Sequence, residues 1–297
     1  MQKIKGITVP IVTPFDQNDN VDLEATAKLV DYLIGNGVNG LYPCGTTGEV
    51  LKMTIEERML FVEKVVQSAA GRGPVFVQVG APTTKDAIKL AQHAYKIGAD
   101  GIGAVTPQYN GVNDREMEEY YAAIANSVPS DFPVYLYTIP QCAANDIKVE
   151  VAQKLVKRCP NIVGIKYSWC DFDRIRNLMQ IENFDFIIGP DRFLLQALAM
   201  GAVGCVAGCA QACPEPFIEA YESFVSGNLE KAREAALKAT ELCDIVTNCA
   251  KLAYVKTALR LNGVIDSHMR APALDLTQAE TEAFEAKFKA YKAKYNY

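Results

Sequence analysis

The sequence predicts an α/β protein, a parallel (β/α)8 TIM barrel over residues 1–222 with a C-terminal three-helix extension over residues 223–297. Eight short apolar runs alternate with amphipathic stretches, and a glycine pattern recurs where helical stretches pass into apolar runs. After about residue 222 only helical periodicity continues. Alternating units of about 25–30 residues, repeated eight times, favour a parallel sheet closed into a barrel.

The strand candidates are short apolar runs bounded by glycine, proline or polar residues. They cover residues 6–12, 40–45, 75–80, 101–106, 134–139, 162–168, 186–189 and 204–208.

Helical periodicity fills the segments between the runs, as in residues 22–35, 54–71 and 83–98. A weak repeat marks the passage from helix to strand in "NGVNGLY", "IGADGIGAV" and "MGAVGCVAG". In each copy the first glycine suits the C-terminal cap of a helix, and the next glycine begins a strand.

The C-terminal part carries helical periodicity in "NLEKAREAALKATELCDIV", "AKLAYVKTALRLNG" and "LTQAETEAFEAKFKAYKAKY". No linker rich in Pro, Gly or Ser separates it from the barrel, so we expect it to pack against the barrel without independent motion. An open, doubly wound sheet is the structural alternative. That fold usually has a glycine-rich phosphate loop after its first strand, and "VPIVTPFDQND" lacks one.

Composition narrows the range of partners. The net charge is −5 and the pI is near 5.3, without a cluster of Lys and Arg interleaved with aromatics, so nucleic acid is not expected as a partner. No window approaches the roughly 18 apolar residues of a membrane span. Pro10 and Pro14 interrupt the apolar N-terminal run, which therefore resembles the first strand of a cytoplasmic protein.

The nine cysteines are an odd number without C-x-x-C pairs, which indicates a reducing compartment. Cys205, Cys209 and Cys213 are spaced by four and could hold a soft metal on one helix face. Because no histidine is near and "GAVGCVAG" predicts a strand, we interpret them as small apolar residues and expect neither a metal nor a cofactor.

Barrel enzymes place their active sites at the carboxyl ends of the strands. Lys166 in "NIVGIKYSWC" is the leading candidate for a catalytic residue at a strand end. Partial burial there favours the neutral amine, which is a nucleophile toward carbonyl groups. The alternative is a lysine that extends to the rim or pairs with a carboxylate.

Other candidates follow other strands. "GTTGE", residues 45–49, offers hydroxyls and backbone N–H groups for a small carboxylate, or else a turn in which Thr47 and Glu49 help to start the next helix. Tyr137 is either a core residue or a proton carrier. Tyr109 lies on a Gly/Asn loop, where burial does not readily explain an aromatic residue.

Taken together, the motifs "GTTGE", "VTPQYN", "YLYTIP", "VGIKYS" and "GPD" resemble the superfamily of dihydrodipicolinate synthase and N-acetylneuraminate lyase, class I lyases that handle pyruvate. The resemblance covers nearly the whole chain. It implies a barrel with three added helices, a 2-oxo acid such as pyruvate as substrate, and a homotetramer built as a dimer of dimers.

The resemblance also implies roles for individual residues. Lys166 matches the lysine that forms the Schiff base, and Tyr137 matches the tyrosine that shuttles protons. Thr46 and Thr47 match the pair that binds the pyruvate carboxylate and relays a proton, and Tyr109 matches a tyrosine that some members insert into a neighbouring subunit. The residues expected to bind substrate are Gly45, Thr46, Thr47, Ser168, Gly189, Asp191, Arg192 and Gly208.

Departures from the family pattern bear on the substrate. Gln141, Cys142 and Asn145 occupy the region where synthases carry an arginine, and Asp191 is followed by Arg192 where the sialic acid lyases tend to place an acid. A guanidinium there could bind a distal carboxylate of an acidic substrate. The alternative pairs Arg192 with a nearby acid such as Asp171 or Asp173.

The main hypothesis is therefore an aldolase or dehydratase acting on a 2-keto-3-deoxy acid. Condensation of pyruvate with an aldehyde, as in dihydrodipicolinate synthase, and N-acetylneuraminate lyase activity are the enzymatic alternatives. A silent barrel that only binds ligands is the non-enzymatic one. A metal-dependent aldolase lacks its usual imidazole ligands, because His93 and His268 are the only histidines and neither is at a predicted strand end.

Overall fold

The computed structural model describes residues 2–297, which form eight parallel strands. The strands are β1 Gly6–Val9, β2 Gly40–Leu41, β3 Phe76–Gln78, β4 Gly101–Val105, β5 Val134–Thr138, β6 Ile162–Tyr167, β7 Asp185–Ile188 and β8 Gly204–Val206.

The same residues form twelve α-helices. They are α1 Leu23–Gly35, α2 Ile55–Ala69, α3 Thr84–Lys96, α4 Asp114–Ala125, α5 Pro140–Ala143, α6 Val149–Arg158, α7 Phe172–Leu178, α8 Leu194–Met200, α9 Glu215–Val225, α10 Leu229–Ile245, α11 Leu252–Leu261 and α12 Gln278–Tyr295. None of the helices in residues 2–297 is long and apolar enough to cross a membrane.

The sheet curls into a barrel. Strand order is β2-β1-β8-β7-β6-β5-β4-β3, so each strand lies beside its neighbours in sequence and β1 also pairs with β8. A parallel bridge between Leu41 and Val75 joins the two ends of this order. The predicted (β/α)8 barrel is confirmed, and the open sheet is not the fold.

Local capping explains where the predicted helices begin. The side chains of Asp22 and Thr83 accept the N–H groups of Ala25 and Asp86 at the starts of α1 and α3. Thr54 forms a capping box at the start of α2. Each helix therefore starts one residue inside its predicted range.

The glycine repeat behaves as predicted. Gly37, Gly98 and Gly201 follow helices and have φ values of +83°, +82° and +115°, a region that disfavours side chains. The next glycine of each copy is the first residue of β2, β4 or β8.

Several strands end earlier than predicted. β1 ends at Val9 because Pro10 has no N–H for the ladder. β2 is only two residues long, since Cys44 turns the chain with a φ of +61°. The "GTTGE" loop, residues 45–49, follows this turn. The shortened ends provide the loops that surround the barrel opening.

Aromatic residues and glycines fill the barrel interior together. Tyr42, Phe76 and Tyr135 pack inside it, and the hydroxyl of Tyr135 accepts the N–H of Ile4 at 2.9 Å. Glycine makes room for them: a Cβ on Gly103 would lie 2.0 Å from the Tyr42 hydroxyl. The interior is therefore a packed core up to the level of the strand ends.

Helices α10, α11 and α12 follow the barrel, and ion pairs link this part of the chain to the loop after β2 and to the start of α2. Lys256 of α11 contacts Glu49 at 2.7 Å, and the guanidinium of Arg270 binds Glu57 at 2.7 Å. Arg270 also lies over the ring of Phe15, with its guanidinium carbon 4.0 Å from the ring centroid.

Gly164→Ala tests the packing of the interior. The added Cβ would lie 2.5 Å from the carbonyl oxygen of Asp185 and 2.8 Å from the ring of Tyr135, so we expect the free energy of unfolding to fall by about 1–3 kcal/mol. Urea unfolding measures this change. Gly35→Ala is the control, because no atom lies within 4 Å of its added Cβ, and equal losses in the two variants would contradict the packing argument.

Candidate active site

The carboxyl ends of the strands surround a cavity of about 480 Å³. Eight of the residues predicted from the sequence line it: Thr46, Thr47, Tyr137, Lys166, Ser168, Gly189, Asp191 and Gly208. A cleft of about 590 Å³ also exists, but its lining comes from α10, α11, α12 and the turn after α10, away from the strand ends. The barrel mouth is therefore the candidate active site.

Lys166 projects into this cavity from β6 and is only 4% exposed. Its Nζ lies 4.1 Å from the ring centroid of Tyr137 and 4.6 Å from that of Tyr42. Within residues 2–297 no carboxylate oxygen lies within 4.0 Å of this Nζ, so aromatic faces, and not an acid, surround the amine. Such a position leaves the amine available to a carbonyl group in the cavity.

Tyr137 faces Lys166 across the β5–β6 pairing, where the two residues are in register. Its hydroxyl lies 3.4 Å from the hydroxyl of Thr46, which forms a link between the proton-bearing groups. The rings of Tyr42 and Tyr137 meet edge to face at 6.3 Å. Lysine, tyrosine and threonine thus converge from three different strand ends.

Tyr42 is a site residue that sequence reasoning missed, since it lies in an apolar run and was assigned to a strand. Burial, with a smaller contribution from Tyr137, raises the pKa of Tyr42 well above its usual value, so it remains a neutral phenol. The available signal was its position at a strand end, three residues before the "GTTGE" loop.

The "GTTGE" loop forms a 3₁₀ turn over Thr46–Gly48, for which Gly45 is the N-terminal cap. Gly45 itself is not among the residues that line the cavity. The carbonyl of Gly48 accepts a hydrogen bond of 2.7 Å from Thr13, which fixes the turn to the chain after β1. Helix α2 starts later, with its own cap at Thr54, so this loop does not start the next helix.

Glu49, the last residue of the "GTTGE" loop, anchors that loop through two lysines. It is buried in a left-handed conformation, with a φ of +56°, and its carboxylate binds Lys256 at 2.7 Å and Lys52 at 2.8 Å. Burial lowers the pKa of Lys256, and the charge and hydrogen bond of Glu49 partly oppose that effect. A residue of the C-terminal helices therefore supports the loop that carries the two threonines.

Asp191 binds the backbone just after the end of β8. Its carboxylate accepts the N–H groups of Gly208 and Cys209 at 3.1 and 2.5 Å. Burial raises the pKa of Asp191, while these hydrogen bonds and Lys166 oppose the shift. Asp191 thus fixes the position of the chain that follows β8, which borders the cavity.

Ser168 and Gly189 pack so closely that a Cβ on Gly189 would lie 2.1 Å from the Ser168 hydroxyl. The side chain of Gln141 donates to the carbonyl of Ser168 at 3.0 Å. Gln141 and Cys142 both line the cavity.

Asn145 has a different position from these two residues. Its side chain accepts the N–H of Val112 at 2.9 Å and donates to the carbonyls of Pro107 and Asn110 at 2.8 Å. These contacts brace the loop that carries Tyr109. Tyr109 is 91% exposed and has a φ of +74°, and it is not among the residues that line this chain's cavity.

Arg192 does not line the cavity either. Its guanidinium binds Asp244 of α10 at 2.6 Å, and 33% of its side chain is exposed. The proposed alternative partners, Asp171 and Asp173, lie instead within 4.0 Å of Arg174 and Arg176. Arg192 is thus paired with an acid, but one from a distant helix that sequence proximity does not reveal. Substrate binding by Arg192 stays a prediction.

A turn between α10 and α11 supplies further lining residues that the sequence did not indicate. Asn248, Cys249, Ala250 and Leu252 all line the cavity. Asn248 and Cys249 have φ values of +50° and +57°. The segment "TNCAKL" lies between two helical stretches. Its asparagine was the one signal for a left-handed turn, because asparagine adopts that conformation more readily than most residues.

The run of three cysteines spaced by four does not lie on one helix. Cys205 lies in β8 and Cys209 in the short 3₁₀ turn that follows, and Cys213 lies beyond that turn. All three are buried.

A buried lysine between two tyrosines at the mouth of a (β/α)8 barrel is an arrangement that suits a Schiff-base lyase of class I. The sequence model of the Dihydrodipicolinate synthetase family matches residues 3–291. The chain belongs to this family and is a lyase of the class I type.

Individual relatives agree with this assignment. The chain is 35% identical to the probable 2-dehydro-3-deoxy-D-pentonate aldolase YjhH of Escherichia coli K12, over 82% of this chain and 81% of the relative. Dihydrodipicolinate synthase from Aquifex aeolicus has a TM-score of 0.92 and 30% identity, with 97% and 98% of the two chains covered. YagE of Escherichia coli K12, solved in complex with pyruvate, has a TM-score of 0.91 and 26% identity, with coverage of 97% and 98%.

Lys256→Met tests the anchor of the threonine loop. We expect the free energy of unfolding to fall by about 1.5–3 kcal/mol, because the variant removes one of the two lysines that bind the buried Glu49 carboxylate. Lys289→Met is the control, since its surface pair with Glu285 contributes less than about 1 kcal/mol. Chemical denaturation compares the two, and a loss below about 1 kcal/mol in Lys256→Met would contradict the anchoring role.

Proposed function

We propose that the chain is an aldolase that cleaves a 2-keto-3-deoxy sugar acid into pyruvate and an aldehyde through a Schiff base on Lys166. The observation that carries the proposal is the placement of the Lys166 amine against the ring of Tyr137, with the Tyr137 hydroxyl beside that of Thr46. The proposed roles of these residues follow from that geometry.

In the first half of the proposed reaction, the lone pair of Lys166 Nζ attacks the C2 keto carbon and water leaves, which gives a protonated imine. The substrate carboxylate lies at the turn over Thr46–Gly48, where hydroxyls and backbone N–H groups are available. The phenol of Tyr137 supplies the proton that the leaving oxygen needs.

In the second half, the phenolate of Tyr137 removes the proton of the C4 hydroxyl, and the bond between C3 and C4 breaks. Its electron pair moves to the imine, which yields an enamine, and an aldehyde leaves. Protonation of C3 and hydrolysis then release pyruvate and restore the amine. Thr46 connects Tyr137 to the loop and can return the proton.

The walls of the cavity favour a neutral hydroxylated tail on the substrate. Among the described residues that line it, only Lys166 and Asp191 carry charged groups, and Asp191 is committed to two backbone N–H groups. Hydroxyls can bond to Ser168, Gln141 and Asn248. A second carboxylate would have no cation in this cavity except Lys166 itself.

A condensing synthase is the second candidate, since synthases are among the relatives. The aldolase is favoured because Gln141 and Cys142, and not an arginine, form the wall that would receive the second substrate. The relative named a pentonate aldolase agrees with this choice.

We propose that the protein works in the cytoplasm as a homotetramer, a dimer of dimers. The family resemblance suggests that assembly, and the 91% exposed ring of Tyr109 is the kind of aromatic group that subunit contacts enclose. The free thiols of all nine cysteines, each within residues 2–297, suit a reducing compartment.

Trapping with borohydride tests the mechanism. With pyruvate and sodium borohydride, we expect one reduced adduct per chain, mapped by mass spectrometry to Lys166. Lys166→Arg is the control, because it keeps a long basic side chain but cannot form the imine, so it should give no adduct and no turnover. A folded wild-type protein without an adduct would favour the silent barrel, and turnover in Lys166→Arg would refute the mechanism.

Arg192→Ala tests the choice of a neutral tail. Because Arg192 binds Asp244 outside the cavity, we expect kcat/KM to change by the same factor for a 2-keto-3-deoxy acid with a hydroxylated tail and for a dicarboxylic analogue. Steady-state kinetics on both substrates measures this. A loss of tenfold or more that is confined to the dicarboxylate, roughly the 1.5–3 kcal/mol of a charge-assisted bond, would instead assign Arg192 to substrate binding.

A further inference from the structure

Three thiols and a carboxylate meet at one side of the cavity, which Asp191 and Cys249 line. The ligand atoms of Asp191, Cys209 and Cys243 all lie within 4.8 Å of one another, and all three residues are buried. A fourth group adjoins them, since the Sγ of Cys249 is 3.5 Å from the Sγ of Cys209. The proposed aldolase reaction makes no use of the three thiols.

The spacing fits a small cation. Three atoms that lie within 4.8 Å of one another have a common centre at most about 2.8 Å from each of them. Zinc bonds are about 2.3 Å to thiolate sulfur and 2.0–2.2 Å to carboxylate oxygen. A zinc ion at the common centre of these three atoms therefore needs shifts of less than about 1 Å from Asp191, Cys209 and Cys243, and Cys249 would join them by rotation of its side chain from its contact with Cys209.

The four residues come from separate elements that tertiary structure brings together. Asp191 follows β7, Cys209 follows β8, Cys243 lies in α10, and Cys249 lies in the turn after α10. Cys249 lines the cavity, which gives an ion a route to the buried groups. A cation held by all four would tie the barrel to the C-terminal helices beside Lys166.

The donor set selects the class of cation. Three sulfur donors favour thiophilic ions such as Zn²⁺ over Mg²⁺ or Ca²⁺, which prefer oxygen ligands. The backbone N–H groups of Gly208 and Cys209 already orient the Asp191 carboxylate, as outer hydrogen bonds orient ligands in metal sites.

The thiol of Cys209 keeps its proton without an ion. Hydrogen bonds with Cys243 and Cys249, together with burial, raise the pKa of Cys209 well above its usual value. A cation must therefore displace thiol protons to solvent, one for each sulfur that becomes a thiolate, and binding should tighten as pH rises.

We propose that Asp191, Cys209, Cys243 and Cys249 form a binding site for one thiophilic divalent cation, with Zn²⁺ as the probe. The site differs from the run Cys205, Cys209 and Cys213 considered from the sequence, with which it shares only Cys209. Its role is structural, because the ion would link the exits of β7 and β8 to α10 and to the turn that borders the cavity.

The test titrates Zn²⁺ into the full-length protein after chelator treatment, with a phosphine reductant to keep the thiols reduced. We expect one equivalent to bind per chain and to raise the midpoint of thermal unfolding. Cys209→Ser should weaken binding by more than about 100-fold, since loss of an outer partner alone costs 10–100-fold. Cys159→Ser, which removes a buried thiol outside the cluster, should bind as the wild type does.

Co²⁺ gives an independent reading, because tetrahedral thiolate coordination produces a sulfur-to-cobalt charge-transfer band that Cys243→Ser should weaken. That variant also replaces Cys209→Ser if the latter does not fold. Absence of stoichiometric Zn²⁺ binding by the reduced wild type, or equal binding by the wild type and a folded Cys209→Ser or Cys243→Ser, would overturn the proposal. A disulfide between Cys209 and Cys249 in protein purified without reductant would also overturn the proposal, if the protein still bound no Zn²⁺ after reduction.

Discussion

Closure of the parallel sheet is the constraint on which the rest of this structure depends. Once Leu41 and Val75 join the ends of the sheet, the interior has a fixed width that side chains must fill. Tyrosine rings fill it, and glycines such as Gly103 leave space for them. Lys166 then lies on top of this packed interior, where its amine is held between two rings and faces the opening.

The C-terminal helices and the strand ends of the barrel together form the cavity. Lys256 pairs with Glu49 and supports the loop of the two threonines, and Asp244 binds Arg192 away from the cavity. The turn with Asn248 and Cys249 forms one wall. The same helices therefore influence stability, the position of the threonine loop and the shape of the cavity.

The proposed chemistry and the proposed substrate preference depend on different parts of the site. Lys166, Tyr137 and Thr46 lie at the ends of the barrel strands, where backbone pairing determines their relative positions. In the proposed reaction the tail of the substrate would face loops and the turn after α10, where single residues such as Gln141 can change without disturbing the barrel. This division is consistent with a family whose members share a fold but carry different names.

The sequence by itself determined the barrel, the glycine caps and the candidate lysine, because hydrophobic periodicity and helix capping are local signals. It also pointed to "GTTGE" as a loop at the mouth. Tertiary structure decided the partner of Arg192, the role of Tyr42 and the lining at Asn248, since each depends on groups far apart in the chain. Local patterns define elements, whereas contacts over 50 or more residues, such as Arg192 with Asp244, appear only after packing.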